Sequence, residues 1–255
     1  MARITYDATT ANSFRAVREI PRDGLAAWEG AVRRHLDPSP GMTVVDIGAG
    51  TGAFAAAFCD WFGARVVAVE PSEAMRALIP ARPDIQVRAG HAAALPLPDA
   101  GADAAWLSTV THHVPDLPAA AREIRRVLRP GAPVLVRNAF AGRYERLRIV
   151  RWFPETARVL DTYPSVEETC AAFAEAGFAP AALEPVPQTD IASLAELLER
   201  ADALRDADTL MRSLSEQEFT RGKERLREAV GAQDPAAVDP AAVDLTSSLD
   251  LLVLR

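Results

Sequence analysis

The stretch Val44-Val45-Asp46-Ile47-Gly48-Ala49-Gly50-Thr51-Gly52 joins a short apolar run to an Ala- and Phe-rich segment, and it decides the fold. Residues 43–47 form a buried strand in this prediction, and residues 52–62 have the periodicity of a helix. Glycines between a strand and a helix allow a tight turn that a ligand approaches closely, and the first N–H groups of the helix face that ligand. The stretch therefore predicts a strand-turn-helix unit that binds a ligand.

The rest of the chain continues this alternation. Further strands are predicted at residues 65–70, 84–88, 102–107, 132–137 and 178–183, and a last strand at residues 248–254. Strands that alternate with helices imply parallel crossovers and a sheet covered on both faces. We therefore predict an α/β fold, a doubly wound Rossmann-like sheet with helices on both faces. Its ligand crevice lies at the carboxyl ends of the strands, where the strand order reverses.

Composition excludes several classes of protein. The 255 residues are 49% hydrophobic and 25% charged, which is typical of a globular protein and excludes disorder and coiled coils. A net charge of -7 repels the phosphate backbone of nucleic acid, so we expect no nucleic-acid partner. No run approaches the ~20 apolar residues of a membrane helix, and the start lacks a signal-peptide pattern. We expect a cytoplasmic protein without a membrane partner.

The residues around the glycine turn favour a cationic ligand. Asp46 would repel a pyrophosphate, whereas an ammonium or sulfonium group is attracted to it. Glu70, at the end of the second strand, can accept hydrogen bonds from both hydroxyls of a ribose. The spacing from Gly48 to Ala53 also satisfies a dinucleotide fingerprint, so Glu70 suits either an adenosyl ligand or NAD.

Together with further short motifs, these residues resemble the class I S-adenosylmethionine-dependent methyltransferases, in the branch similar to ubiquinone-biosynthesis and other small-molecule enzymes. The resemblance covers residues 6–178. Its motifs are residues 44–52, 69–72 with Met75, 89–92 with 95–98, 108–113 with Asp116, and 126–131. It implies a seven-stranded sheet, mostly parallel, whose antiparallel last strand lies between strands five and six.

The resemblance assigns residues to parts of S-adenosylmethionine. The glycine turn would lie against its methionine part, with Asp46 beneath the ammonium, and Glu70 would hold the ribose. Pro71 and Met75 would pack on adenine, and the backbone of residues 108–109 would hold the amino group.

One position departs from the family pattern. His91 stands where the family usually has Asp, so a ring nitrogen of His91 or the N–H of Ala92 would serve adenine. The implied cofactor-binding residues are Asp46, Gly48, Ala49, Gly50, Thr51, Gly52, Glu70, Pro71, Met75, Gly90, His91, Ala92, Ser108 and Thr109.

Methyl transfer is an in-line displacement, and holding the two reactants near attack distance is worth up to ~7–11 kcal/mol. A base is needed only for acceptors such as alcohols. His112 and His113 follow the fourth strand at the crevice, so we predict that one of them is this base; the alternative is that it only bonds backbone. Aspartate-rich metal spacing is absent after strand five, and we predict no metal.

Predicted pocket residues lie in two regions. The resemblance implies that residues of the amino-terminal segment close over the cofactor, and we expect aromatic residues of the second half to line the acceptor pocket. These residues are Tyr6, Phe14 and Arg18, then Tyr144, Trp152, Phe153 and Tyr163. The Arg-rich stretch 143–151 is interrupted by Glu145, which favours a solvated helix face over an RNA site. The apolar stripe 191–204 is core, a dimer contact or the roof of an acceptor pocket.

We expect a single methyltransferase domain over residues 1–255. It comprises a helical lid (1–40), a cofactor-binding core (41–139), acceptor-side helices with the sixth strand (140–247) and the last strand (248–254). The expected activity transfers a methyl group from S-adenosylmethionine to O, N or C of a small molecule, leaving S-adenosylhomocysteine. The expected assembly is a monomer or homodimer.

Two alternatives stay open. One is a protein that binds S-adenosylmethionine without methyl transfer, cyclase-like or a partner subunit, and His91 supports it. The other is an NAD(P)-dependent oxidoreductase. Asp46 and the lack of a Tyr-x-x-x-Lys pair weigh against this alternative, since the sole lysine is Lys223.

Overall fold

A computed structural model describes residues 22–189, 191–232 and 246–255, together with Ala11. Within these residues, seven strands form one sheet. They are β1 Thr43–Ile47, β2 Arg65–Val69, β3 Ile85–Arg88, β4 Ala104–Ser108, β5 Val134–Asn138, β6 Pro180–Gln188 and β7 Ser247–Leu254. The strand order is β3-β2-β1-β4-β5-β7-β6, which reverses direction between β1 and β4.

The pairing confirms the predicted fold. Strands β1 to β5 pair in parallel, whereas β7 pairs antiparallel with both β5 and β6. The carboxyl-terminal strand therefore lies between strands five and six, as the resemblance implied. Strand β1 is central, and its run Val44–Ile47 is buried because helices cover both faces of the sheet.

The described helices also follow the sequence pattern. They are α1 Ala26–Leu36, α2 Ala53–Phe62, α3 Glu73–Arg76, α4 Leu117–Val127, α5 Arg148–Trp152, α6 Ala157–Leu160, α7 Val166–Ala174, α8 Leu194–Ala207, α9 Thr209–Arg212 and α10 Glu216–Gly231. Ser72 and Asp116 cap α3 and α4 through their side-chain oxygens, and Ser165 forms a capping box with Glu168. These caps fix the residues at which the three helices begin.

Two apolar clusters lie on opposite faces of the sheet. Successive side chains of a strand point to opposite faces, so Trp106 of β4 joins one cluster and Leu107 joins the other. Trp106 packs against Trp28 of α1 and against Phe54 of α2, with ring centroids 6.1 and 4.8 Å apart. The core thus holds α1 and the first turn of α2 close to the carboxyl ends of the central strands.

Strand β6 is longer than predicted and begins later, at residues 180–188 where residues 178–183 were expected. The strand contains Pro185 and Pro187, which break a strand pattern in a sequence. It lies at the edge of the sheet, where proline is tolerated because one side of the strand needs no ladder hydrogen bonds. Its partner β7 fixes the register as far as Gln188, opposite Ser247.

In the part of the chain that the structure describes, no helix has the length and apolar character needed to cross a membrane.

Candidate cofactor and acceptor cleft

A cleft of about 1320 Å³ opens at the carboxyl ends of the central strands. Its walls come from the ends of β1, β2, β4, β5 and β6 and from the helices of the second half of the chain. It lies where the strand order reverses, the place at which open α/β sheets bind ligands. Its volume exceeds the ~300–1,000 Å³ of a pocket for one small molecule, which leaves room for two ligands.

The glycine turn after β1 forms one wall of the cleft. Gly48 has a φ of 71°, and a Cβ there would lie 2.5 Å from Cγ2 of Val110, so the loop after β4 packs directly on it. Gly50 has a φ of 57°, and a Cβ there would meet nothing within 4 Å. The turn is thus pressed against protein at Gly48 and open toward the cleft at Gly50, where a ligand can approach the backbone.

Asp46 places a buried carboxyl group beneath this turn. The residue is 1% exposed, and its Oδ2 atom receives no hydrogen bond from the residues that the structure describes. Burial raises the pKa of Asp46 to about 7; the charge of Glu70 adds to this, and the backbone N–H of Ala55 opposes it. An ammonium group would supply both the missing donor and the missing positive charge. The residue therefore fits the amino group of S-adenosylmethionine.

Glu70 follows β2 and is tied to the turn by its side chain. Its Oε2 accepts from the N–H of Gly50 and its Oε1 from the N–H of Ser72, both at 2.9 Å. Burial raises the pKa of Glu70, while these two backbone hydrogen bonds lower it. Each carboxylate oxygen keeps a further lone pair, so Glu70 can also accept from two ribose hydroxyls.

The loop after β4 carries a strained residue. Thr109 has a φ of 51°, which is an outlier for a β-branched side chain. Its N–H donates to the carbonyl of Arg137 at 2.7 Å, and its hydroxyl donates to the carbonyl of Ser108 at 2.8 Å. Such strain persists where surrounding contacts hold it, and here the contacts fix how the Ser108 carbonyl is presented at the cleft.

Two histidines and a tyrosine form an aromatic group in the cleft. His112 and His113 lie in the short helical turn Thr111–His113, with ring centroids 4.1 Å apart. The ring of Tyr163 stacks on His112 with a centroid distance of 3.9 Å and an interplanar angle of 3°. All three residues line the cleft, so the structure brings both predicted base candidates into it.

A buried arginine network was not predicted from the sequence. Arg137 of β5 donates to Ser108 Oγ at 3.0 Å and to Gln188 Oε1 at 2.5 Å, and Trp28 Nε1 donates to the same Gln188 oxygen at 3.2 Å. The guanidinium also lies over the rings of Trp28 and Phe54, 5.0 and 5.2 Å from their centroids. The polar pair Arg137–Asn138 at the end of an otherwise apolar strand was the available signal, whereas Gln188 had none.

Most of the implied cofactor residues reach the cleft. Those that line it are Asp46, Gly48, Ala49, Gly50, Thr51, Glu70, Pro71, Met75, His91, Ala92, Ser108 and Thr109. Gly52 and Gly90 do not. Gly52 precedes α2, and a Cβ on Gly90 would lie 2.9 Å from Pro96 Cδ, so both serve the packing of the loops behind the wall.

The predicted acceptor residues divide differently. Tyr163 lines the cleft, but Tyr144, Trp152 and Phe153 do not. Phe153 is fully buried against Phe219 of α10, and Trp152 belongs to the same cluster. Packing between α5 and α10 takes both rings away from the cleft, and the Tyr144 hydroxyl donates to Asp161. The predictions for Tyr6, Phe14 and Arg18 lie outside the described residues.

The end of the cleft formed by α8, α9 and residue Ile191, which is the expected acceptor end, has several aliphatic side chains in its wall. Three residues of the apolar stripe take part, namely Ile191, Leu197 and Leu204. Leu210 and Met211 of α9 add to the same wall. Residues of the stripe thus belong both to the wall of the cleft and to the core cluster beneath α8 and α10.

Comparison with known proteins agrees with this geometry. Residues 45–136 match the family of methyltransferase domains. A ubiquinone/menaquinone biosynthesis C-methyltransferase of Caulobacter sp. (strain K31) is 32% identical over 149 residues, which cover 53% of this chain and 59% of that protein. The chain spans about half the length of the curated relatives that it matches.

Solved structures share the fold. A protein described as a methyltransferase of an antibiotic biosynthesis pathway of Anabaena variabilis is 20% identical, with a TM-score of 0.75 over 94% of this chain and 99% of the other. Geranyl diphosphate C-methyltransferase of Streptomyces coelicolor, solved with Mg²⁺, geranyl diphosphate and S-adenosylhomocysteine, is 19% identical, with a TM-score of 0.54 over 90% of this chain and 78% of the other.

Proposed function

We propose that this chain, which carries a class I S-adenosylmethionine-dependent methyltransferase domain, transfers the methyl group of S-adenosylmethionine to an O, N or C atom of a small molecule. The observation that carries the proposal is the placement of Asp46 and Glu70 in one cleft with His112 and His113. Asp46 and Glu70 suit the cationic and ribose parts of the cofactor. His112 and His113 suit the removal of a proton from an acceptor.

In this proposal the chain's own groups divide the work. Asp46 holds the ammonium, Glu70 holds the ribose hydroxyls, and the open backbone at Gly50 lies against the methionine part. Bound S-adenosylmethionine supplies an electrophilic methyl group on a sulfonium. The protein positions the acceptor opposite that methyl, and His112 or His113 takes a proton from acceptors that must lose one. Met75 and Pro71 pack on adenine, with His91 or Ala92 at its edge.

The aliphatic end of the cleft supports a small, partly apolar acceptor. Leu197, Leu204 and Leu210 offer apolar surface, whereas His112 and Tyr163 offer polar groups nearer the glycine turn. This mixture is typical of small-molecule sites, in which a few polar groups fix the orientation of an apolar ligand. Named relatives that act on quinone precursors or on geranyl diphosphate are compatible with such a pocket.

A labelled-methyl assay tests the proposal. The purified chain is incubated with S-adenosylmethionine carrying a ¹³C methyl group and with a panel of quinols, phenols, amines and prenyl diphosphates. We expect mass spectrometry to find the label in at least one acceptor, with S-adenosylhomocysteine formed in equal amount. Tight binding of S-adenosylhomocysteine without label transfer to any acceptor class would instead support a binding protein that does not methylate.

The role of the histidines has its own test. Replacement of the base, His112→Gln or His113→Gln, should lower turnover by about 10²-fold or more for an acceptor that must lose a proton. Affinity for S-adenosylhomocysteine, measured by calorimetry, should stay within about twofold. A parallel loss of turnover and of cofactor affinity would show that the histidine is structural.

A further inference from the structure

We propose that Tyr163 is a positioning residue that holds the imidazole of His112 in the orientation required for proton transfer, a proposal that rests on the proposed function. The two residues come from separate parts of the fold. His112 lies in the turn after β4, at the cofactor side of the cleft, and Tyr163 follows α6 in the acceptor-side segment. Their contact joins the two sides of the cleft.

The contact geometry restrains the imidazole. The two rings are parallel within 3° at a centroid distance of 3.9 Å, closer than the ~4.5–7 Å usual for aromatic pairs. The terminal torsion of a histidine side chain is otherwise broad, so an isolated imidazole samples many ring orientations. A ring stacked face to face cannot turn about that torsion without losing the contact. Tyr163 therefore selects one plane for the His112 ring.

Tyr163 is itself well placed to act as a fixed support. Its N–H donates to the carbonyl of Leu160, a fully buried residue at the end of α6. Two residues later, Ser165 begins α7 with a capping box. The short stretch between α6 and α7 is therefore tied to regular structure on both sides, which preorganises the tyrosine ring.

The stack also places the face of the Tyr163 ring against the imidazole that receives the proton. The Nδ1 atom of His112 is buried, and in this proposal the other ring nitrogen, Nε2, takes the proton from the acceptor. As that proton moves to Nε2, the acceptor atom forms its bond to the methyl carbon, and the carbon–sulfur bond breaks with its electron pair on sulfur. The imidazolium then lies over the face of Tyr163, where the ring quadrupole attracts a cation, and it later releases the proton to water.

Variants at Tyr163 distinguish the contribution of the aromatic ring from that of the hydroxyl group. Tyr163→Phe keeps the stacked ring, whereas Tyr163→Leu and Tyr163→Met fill similar space without one. Tyr144→Leu is the matched control, because Tyr144 lies outside the cleft lining. The first readout is the NMR signal of the imidazole Cε1 proton, assigned among the four histidines of the chain with His112→Gln. We expect this signal to move downfield in the Leu and Met variants, since the ring current of Tyr163 is removed, and to hold its position in the Phe variant and the control.

The second readout is turnover with an acceptor found by the labelled-methyl assay. Tyr163→Leu and Tyr163→Met should lower kcat about tenfold or more at saturating acceptor, and Tyr163→Phe should restore it to within about twofold. A loss confined to KM would make Tyr163 an acceptor contact and overturn the proposal. An unmoved His112 signal in both ringless variants would overturn it as well. Failure of the wild type to bind S-adenosylhomocysteine would refute the proposed function, whereas the NMR readout needs no cofactor and tests the restraint of His112 by Tyr163 separately.

Discussion

At the scale of single residues, burial beneath the glycine turn opposes the ionisation of Asp46. Burial raises its pKa from 3.8 to about 7, and nearby Glu70 adds to the rise. Between these two values the folded protein binds a proton that the unfolded chain has released. The stability that this group contributes is therefore complete below about pH 3.8 and is lost as the pH rises through about 7.

Asp46→Asn should remove this pH dependence. We expect the unliganded variant to be more stable than the wild type at pH 8 by about 2–4 kcal/mol, because the wild type buries a charge there. The difference should shrink at pH 5.5. Urea denaturation at the two pH values measures it, with Glu199→Gln, an exposed carboxyl, as the control. An equal difference at both pH values would contradict the pKa assigned to Asp46.

Glu70 gives a second prediction at this scale. Glu70→Ala should weaken the binding of S-adenosylhomocysteine by about 1.5–3 kcal/mol, because charge-assisted hydrogen bonds to the ribose are lost. Calorimetry on the folded variant measures the change. Glu70→Gln, which keeps an oxygen for the N–H of Gly50, separates this loss from damage to the turn. Unchanged affinity in the folded Ala variant would remove Glu70 from the ribose site.

The same scale shows where sequence reasoning succeeded and where it did not. Asp46 and Glu70 could be placed in the cleft because each ends a strand whose carboxyl end faces the crevice. Trp152 and Phe153 were wrongly predicted to line the pocket. Their segment has no clear periodicity, so its sequence does not show whether an aromatic pair faces a pocket or a neighbouring helix. The neighbour here is α10, more than sixty residues later, and no local pattern records that contact.

At the scale of elements, the contact between α5 and α10 depends on one glycine. A Cβ on Gly222 would lie within 3.0 Å of three ring carbons of Phe153. Gly222→Ala should therefore destabilise the fold by about 1–3 kcal/mol through overpacking. This is the net effect, after the higher helix propensity of alanine has offset part of the cost. Thermal denaturation tests this, with Gly231→Ala in the same helix as control, since a Cβ there meets nothing within 4 Å. An equal effect of both substitutions would refute the tight contact.

The strands β5 and β6 and helix α1 are joined through Gln188. Its Oε1 accepts from both Arg137 and Trp28, and these donors are buried. Gln188→Ala should cost about 1–3 kcal/mol, because buried donors lose their acceptor. Gln86→Ala, at an exposed position of β3, is the matched control and should change little. Chemical denaturation measures both; a loss no larger than that of the control would show that the network adds no stability.

Element boundaries followed the sequence wherever a local signal marks them. Ser72, Asp116 and Ser165 are helix caps, and their side-chain oxygens accept hydrogen bonds from N–H groups in the first turn of each helix. Strand β6 was misjudged because Pro185 and Pro187 normally interrupt strands. Only its place at the sheet edge, which pairing with β7 decides, makes these prolines acceptable.

At the scale of the whole molecule, the sheet could be predicted but the acceptor end of the cleft could not. The sheet could be predicted because residues 43–137 contain apolar strands that alternate with helices. The acceptor end combines α5, β6, α8 and α9, whose mutual positions depend on packing between distant segments. A cofactor class could therefore be inferred from the sequence, whereas the acceptor's shape could not.

The central claim is that the cleft holds an adenosyl cofactor through Asp46 and Glu70. The most direct test is calorimetric titration of the purified chain at pH 8 with S-adenosylmethionine and S-adenosylhomocysteine, with NAD as the control. We predict micromolar binding of both adenosyl ligands, no binding of NAD, and a large loss of S-adenosylmethionine affinity in Asp46→Asn. Binding of NAD in place of the adenosyl ligands, or equal affinities in the wild type and Asp46→Asn, would contradict the account.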